Sequence, residues 1–293
     1  MDVHHRTITV DGHTIFYREA GPSDAPALVL LHGFPTSSYM YRQLIPALGD
    51  RYYVLAPDYL GFGESDAPPV EQFDYTFDAL AAIVDQLLDR LGVDSYAMYV
   101  QDYGAPIGWR LALAHPERIT AIISQNGNAY EAGFVEGFWA PVWAYSTDPT
   151  PETEAAIREA LSMEAIRWQY LHGVADPSLV SPDTWTHDYA LIQRPGNDQI
   201  QLRLFRDYVT NRALYPRLQE YFRNSQVPLQ AVWGANDGIF APEGASAFAN
   251  DLPNAEIHLL NAGHFALESQ LDTITGYVHG FLGRVNSQSP VSA

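Results

Sequence analysis

The sequence predicts an α/β fold, in which a mostly parallel central sheet is flanked by helices and a helical block is inserted between two of its strands. Three observations predict it. Through residues 1–127, short continuous apolar runs alternate with helical stripes, the pattern of strand-helix-strand units that build parallel sheets with right-handed crossovers. From 128 to 222 that rhythm stops, and amphipathic helical patterns rich in Trp, Tyr, Arg and Glu take over. From 223 to 293 the strand rhythm returns. The expected organisation is a core domain, 1–127 plus 223–293, and a helical cap or lid, 128–222. The cap would lie over the C-terminal edge of the sheet, where open α/β sheets bind ligands.

Each element has its own signal. Arg6 to Val10 and Thr14 to Glu19 alternate polar and apolar residues like antiparallel strands, with Asp11-Gly12 as the turn between them. Ala27 to His32 and Tyr52 to Ala56 are continuous apolar runs, typical of strands buried on both faces. Phe77 to Leu91 places Leu80, Ile83, Val84, Leu87, Leu88 and Leu91 on one helical stripe, and Gly92 stops it. Ser95 to Val100 is a strand, Ala105 to His115 a helix, and Ile119 to Ser124 a strand. In the inserted block, helices are expected over Pro151 to Leu161, Glu164 to His172 and Gln199 to Arg212. Strands return at Leu229 to Trp233 and Ala255 to Leu259. A last helix follows from about Phe265 to Phe281, before a short polar tail, Asn286 to Ala293.

Composition narrows the function. Of the 293 residues, 47% are apolar and 17% charged, which is a globular balance. A net charge of −19 repels phosphate backbones and anionic lipid, so neither nucleic acid nor membrane is an expected partner. No apolar run reaches the roughly 18 residues that span a bilayer. The first ten residues show no secretory h-region, and there is no cysteine, which fits a cytoplasmic location. Lack of cysteine also removes any thiolate nucleophile or thiolate metal site. No cluster of metal ligands and no dinucleotide fingerprint is present; Gly61-Phe62-Gly63-Glu64-Ser65 reads as a structural turn. No cofactor or metal is expected. Oligomeric state is left as monomer or homodimer.

The chemistry sits where strands end. Tyr99-Val100-Gln101-Asp102-Tyr103-Gly104-Ala105 passes from strand to helix within two or three residues, and Gly104 and Ala105 are small enough for a sharp turn. This is the arrangement of a nucleophile elbow, usually spelled G-x-S-x-G, with Asp102 in the central place. No G-x-S-x-G occurs in the chain. An Asp before a helix is also a common N-cap, so Asp102 alone leaves both readings open. Further on, Asp237 follows the next-to-last strand and His264 the last one. The order Asp102, Asp237, His264 is nucleophile, acid, base, the order of a hydrolase triad. His32-Gly33-Phe34-Pro35 follows the first buried strand and offers the backbone N–H of Phe34 to an oxyanion hole, with the N–H of Tyr103 as its second donor. Pro35 is a candidate for a cis bond.

HGFPTSS at 32–38, DYLGFGESD at 58–66, VQDYGA at 100–105, WGANDG at 233–238 and NAGHF at 261–265 together resemble α/β-hydrolases of the epoxide hydrolase and haloalkane dehalogenase group, over nearly the whole chain. The resemblance implies the α/β-hydrolase fold with an inserted helical cap, and an Asp nucleophile. A carboxylate with an ordinary pKa of about 3.9 is ionised at neutral pH and needs no base to activate it. It forms a stable ester at saturated carbon, whereas at an acyl group it would form an anhydride. The expected substrate is therefore a small hydrophobic epoxide or alkyl halide, with water as co-substrate. Asp102 would be alkylated, and His264, oriented by Asp237, would activate the water that hydrolyses the ester.

Epoxide and halide differ in the leaving group. An opening epoxide becomes an alkoxide and needs an acid; a halide needs only weak donors. The resembling dehalogenases carry Trp after the nucleophile and often Asn after the HG pair, where this chain has Tyr103 and Phe34. The resembling epoxide hydrolases often share HGFP and use two cap tyrosines as acids, although they too usually carry Trp after the nucleophile. Here the resemblance points to Tyr208, in Phe205-Arg206-Asp207-Tyr208, and to Tyr145, shortly before Asp148-Pro149. Epoxide hydrolysis to a vicinal diol is the leading expectation, haloalkane dehalogenation the alternative, and a non-catalytic binding protein on this scaffold a third. Phe34, Trp139, Trp143 and Phe265 are expected to line an apolar substrate site.

Overall fold

Residues 1–288 are described by a computed structural model, and they are built around one eight-stranded sheet. Its strands are β1 (His4–Val10), β2 (His13–Ala20), β3 (Ala27–Leu31), β4 (Tyr53–Pro57), β5 (Tyr96–Gln101), β6 (Ile119–Gln125), β7 (Leu229–Gly234) and β8 (Glu256–Leu260), in the spatial order β1-β2-β4-β3-β5-β6-β7-β8. β1 and β2 form the predicted antiparallel hairpin, turning through Asp11 and Gly12 at φ of 48° and 82°. β2 runs antiparallel to β4, and β3 to β8 are all parallel. β5 lies in the interior of the sheet, and all six of its residues are buried.

Eleven α-helices accompany the sheet among the described residues. α1 (Leu44–Leu48), α2 (Phe77–Arg90) and α3 (Gly104–Ala114) connect the first strands. Six more lie between β6 and β7: α4 (Glu136–Thr147), α5 (Pro151–Arg158), α6 (Met163–Leu171), α7 (Asp183–Ile192), α8 (Asn197–Asp207) and α9 (Val209–Ser225). α10 (Pro242–Ala247) and α11 (Leu267–Gln288) follow β7 and β8. The six-helix block covers the C-terminal ends of the strands. Phe205 meets Phe34 after β3 (5.2 Å between rings), and Tyr208 meets Tyr103 after β5 (5.9 Å). Trp139 meets Phe240 after β7 (5.2 Å), and Tyr170 stacks on Phe265 after β8 (4.0 Å).

Several expectations need correction inside this block. The single helix over 199–212 is two, α8 and α9, meeting at Tyr208, and α9 continues to Ser225, past the expected limit of 222. The break coincides with an anchor to the core, since Asp207 accepts a hydrogen bond from the backbone N–H of Phe77 at 2.8 Å. α4 and α7 had no visible stripe. α4 is apolar nearly all round and carries Gly137 and Pro141, and α7 holds His187 and the buried Asp188. Asn286 to Gln288 belong to α11; residues 289–293 of the polar tail lie outside the described residues.

Two glycines show what the turns demand. Gly63 has a φ of 51°, and a Cβ there would sit 1.9 Å from an Asp58 carboxylate oxygen. Asp58 in turn accepts from the N–H groups of Ser38 and Glu64, so this loop is the structural turn the sequence suggested. At Gly104 a Cβ would lie 1.9 Å from the backbone oxygen of Leu31. That clash is with β3 itself and cannot be relieved by a rotamer. Gly104→Ala is therefore expected to lower unfolding stability by about 2–4 kcal/mol, as for other overpacked core sites. Denaturant titration would measure it, and a change under 1 kcal/mol, on the scale of an ordinary surface substitution, would refute the tight-turn account.

No helix among the described residues is long and apolar enough to cross a membrane.

Candidate active site

β5 ends at Gln101 and α3 begins at Gly104, leaving two residues for the turn. Asp102 takes a φ of 47°, a left-handed conformation uncommon outside glycine. Such outliers persist only where surrounding packing over-determines them. The turn lifts the Asp102 side chain above the sheet edge. Its Oδ1 accepts a hydrogen bond from the backbone N–H of Phe34 at 2.7 Å, and the carboxylate also accepts from the backbone N–H of Tyr103. The free amides of α3 are not its partners, so the carboxylate does not serve as a helix cap. The peptide bond between Phe34 and Pro35 is cis.

His264 and Asp237 come to the same place from β8 and β7. His264 Nδ1 lies 2.8 Å from Asp237 Oδ2, and its Nε2 lies 3.9 Å from Asp102 Oδ2. Asp237 is fully engaged by donors. Its Oδ1 accepts from the N–H of Ile239 at 2.7 Å, and its Oδ2 accepts from Asn126 Nδ2 at 2.7 Å. Asn126, at φ 49° just after β6, also accepts from the N–H of Gly234 at 2.9 Å, tying β6 to β7 at this point. A carboxylate so placed accepts from Nδ1–H, which leaves Nε2 as the basic nitrogen, on the side of the ring that faces Asp102.

The charges are buried, and their pKa values move accordingly. Burial raises the Asp102 carboxyl above its ordinary value, against the lowering effects of His264 and of the Phe34 and Tyr103 amides. Burial alone would depress His264. The charge and hydrogen bond of Asp237 and the charge of Asp102 outweigh it, and the net shift is upward.

Two residues in this network escaped the sequence reading. Gln101 is fully buried and its Nε2 lies 2.9 Å from His264 Nε2. Asn126 supports Asp237 as described. Their only sequence signal was a polar residue closing an otherwise apolar buried strand or starting the loop after one.

The aromatic residues divide. Tyr103 is buried against Phe34, Phe62, Phe77, Phe205 and Tyr208, and its hydroxyl has no hydrogen-bond partner among the described residues. Tyr208 is also buried, with its ring on Trp139 (4.4 Å) and Phe77 (5.6 Å). Burial raises both phenols, and the charge of Asp102 adds to it in each case. Trp139 lies inside this group, donating from its indole N–H to Ile239 O. Trp143 is one layer further out, half-buried between Tyr208 and the guanidinium of Arg212, which lies 4.6 Å from its ring. Phe265 packs edge-on against His264 at 5.1 Å. Tyr145 is buried on α4 and has no hydrogen bond or ring contact with Asp102, Asp237 or His264 among the described residues. Two residues beyond Trp143, it points about 200° further round α4. The charges that act on it are Glu154, Arg206, Arg158 and Arg203.

Residues 26–270 match the profile of the family described as alpha/beta hydrolase fold. The chain is 44% identical over 274 residues to the uncharacterized hydrolase YNR064C of Saccharomyces cerevisiae, covering 92% of this chain and 93% of that one. Among solved structures it is similar to the haloalkane dehalogenase DbeA from Bradyrhizobium elkani (TM-score 0.80, 23% identity, 98% of this chain and 100% of that one). It is also similar to the epoxide hydrolase CorEH (TM-score 0.78, 20% identity, 97% and 100%). At these identities the two structures bear on the fold alone.

Proposed function

The chain is a hydrolase of the alpha/beta hydrolase fold family, and from that premise we propose that it hydrolyses epoxides to vicinal diols through a covalent ester on Asp102. The observation that carries the ester is the position of the two backbone donors. The amides of Phe34 and Tyr103 close on the carboxylate of Asp102 itself. Donors arranged this way stabilise negative charge that develops on an oxygen of Asp102. That happens when an ester on Asp102 is attacked by water, and it would not happen if Asp102 only oriented another group.

Tyr103 and Tyr208 favour the epoxide. Both hydroxyls are buried, and both phenols are held protonated by burial and by the charge of Asp102. A protonated phenol can donate to an oxirane oxygen and then supply its proton as the alkoxide forms. In this reading Tyr208 acts with Tyr103, which takes the role first expected of Tyr145. The six helices α4 to α9 act as the cap, and their aromatic side chains keep bulk water from the ester. Dehalogenation is the second reading, because the unpartnered Tyr103 hydroxyl could also donate to a departing halide.

The test uses styrene oxide and 1-bromobutane in separate weakly buffered reactions. Diol without bromide supports the proposal, and bromide without diol replaces it with the second reading. Tyr208→Phe should slow diol formation by about 100-fold, the low end for loss of a general acid, because a second donor remains. An unchanged rate would remove Tyr208 from the site.

A further inference from the structure

Among the described residues, Gln101 meets the imidazole of His264 from outside the triad, whereas Gln125 reaches only the His264 backbone oxygen. Gln101 closes β5, immediately before the elbow, and is fully buried. One end of its amide, Nε2, lies 2.9 Å from His264 Nε2. The other end, Oε1, has no hydrogen-bond partner among the described residues. Oε1 lies against Gly33, on the same side as Asp102. A Cβ on Gly33 would stand 2.4 Å from Oε1 and 2.3 Å from Asp102 Cβ. The amide therefore lies beside both the base and the candidate nucleophile. A buried carbonyl oxygen left without a donor is costly, and such exceptions call for a functional explanation.

We propose that Gln101 is the positioning residue for the hydrolytic water, and so acts on ester hydrolysis rather than on ester formation. This rests on the reading of Asp102 as nucleophile given above. Attack on the ester needs a water whose lone pair faces the Asp102 carbonyl carbon. One of its hydrogens goes to His264 Nε2. The other needs an acceptor, and a hydroxide-like oxygen held by one bond alone is free to swing. The Oε1 of Gln101 is an acceptor with nothing else to accept from, beside both groups. In the resting enzyme the Nε2 amide donates to the imidazole lone pair and holds the ring beside Asp102. The water replaces that contact when it arrives.

The step balances with groups already present. The water O–H bond breaks, its proton passes to His264 Nε2, and its oxygen bonds to the Asp102 carbonyl carbon. The resulting oxyanion lies at the amides of Phe34 and Tyr103. Collapse breaks the bond between that carbon and the product oxygen, and the proton on His264 passes to the product. The other water proton, left on the Asp102 carboxyl, is lost to the phenolate formed when the epoxide opened, which restores both the carboxylate and the phenol. Gln101 keeps its own hydrogens throughout.

The experiment measures the two half-reactions separately. The enzyme is mixed rapidly with styrene oxide, quenched in acid, and the ester on Asp102 followed by intact mass. Gln101→Met, of similar length but without an amide, is expected to form ester within about twofold of wild type. It should lose ester about 10- to 100-fold more slowly, the scale for one buried hydrogen bond. Ester formation at the normal rate also reports that the variant is folded. Gln101→Glu restores an acceptor at the same place, and ester decay should recover to within about tenfold of wild type. A second carboxylate beside Asp102 should slow ester formation in that variant. If Gln101→Met slows both half-reactions equally, or leaves decay unchanged, the proposal is overturned. If Gln101→Met forms no ester, the decision falls to Gln101→Glu, where decay as slow as that of a His264 variant overturns it. If wild type and His264→Phe both fail to accumulate ester, the Asp102 reading itself falls, which is a separate result from a failure of the Gln101 variants alone.

Discussion

Asp102→Asn should lose turnover of styrene oxide by at least about 10⁴-fold, the scale seen when a covalent nucleophile is removed. The amide is nearly isosteric. Its oxygen can still accept from the backbone N–H groups of Phe34 and Tyr103, so the elbow and its donors stay in place. What disappears is the negative oxygen that attacks carbon. Folding should not suffer. The Asp102 carboxyl is raised above its ordinary value mainly by burial, which means that the native state disfavours its ionised form. The sign follows directly. The penalty is absent below the unfolded pKa and grows as pH rises through the folded one, so at neutral pH a neutral Asn removes a cost. Asp102→Asn should melt no lower than wild type. One complication is itself informative. His264 Nε2 faces this position, and water activated there can hydrolyse the amide back to Asp102. Activity should therefore be absent in fresh protein and rise on storage together with a mass increase of about 1 Da, the difference between an amide and an acid. Full activity in protein shown by mass to be intact Asn would end the nucleophile assignment.

The elements that sequence reading located best are those whose signal is local. β3, β5 and β7 are short apolar runs bounded by Gly, Pro or polar residues, and burial on both faces makes them legible. Asp102, Asp237 and His264 were legible because each stands just past such a run, and strand ends converge in a parallel sheet whatever the intervening chain does. The inserted block was harder for a physical reason. α4 packs aromatic rings against both the core and its neighbouring helices, so it shows no apolar stripe, and Tyr145 could not be told from the inward-facing Trp139. Pro216 stands within α9, where a sequence reading looks for a helix end. Gln101 and Asn126 were missed because their importance lies in partners more than a hundred residues away in the chain, His264 and Asp237. Nothing in composition or spacing carries that information.

His264→Phe should trap the alkyl-enzyme. Styrene oxide adds to Asp102 in full, so the expected product is a protein heavier by the whole mass of the epoxide, stable for hours, with the modification mapped to the peptide containing Asp102. Ester formation needs only the carboxylate and an acid for the leaving oxygen, neither of which His264 supplies. Breakdown needs the base, and its loss should slow that step by about 10⁴-fold or more. The aromatic replacement fits a pocket already lined by Phe240 and Phe265. It leaves Asp237 without its imidazole, but the amides of Asn126 and Ile239 still donate to that carboxylate. The wild-type protein offers a second, independent check. His264 is raised in part by the charge of Asp102. Alkylation turns that carboxylate into a neutral ester and removes this contribution, so the pKa of His264 must fall when the ester forms. Forming the ester therefore shifts the base toward its neutral form in the intermediate that needs it. Quenched-flow measurement of ester decay across pH should give an acid limb below the His264 pKa titrated in the free protein. An acid limb at the same pH or higher would mean that the charge on Asp102 does not change during turnover, and the covalent ester would have to be given up.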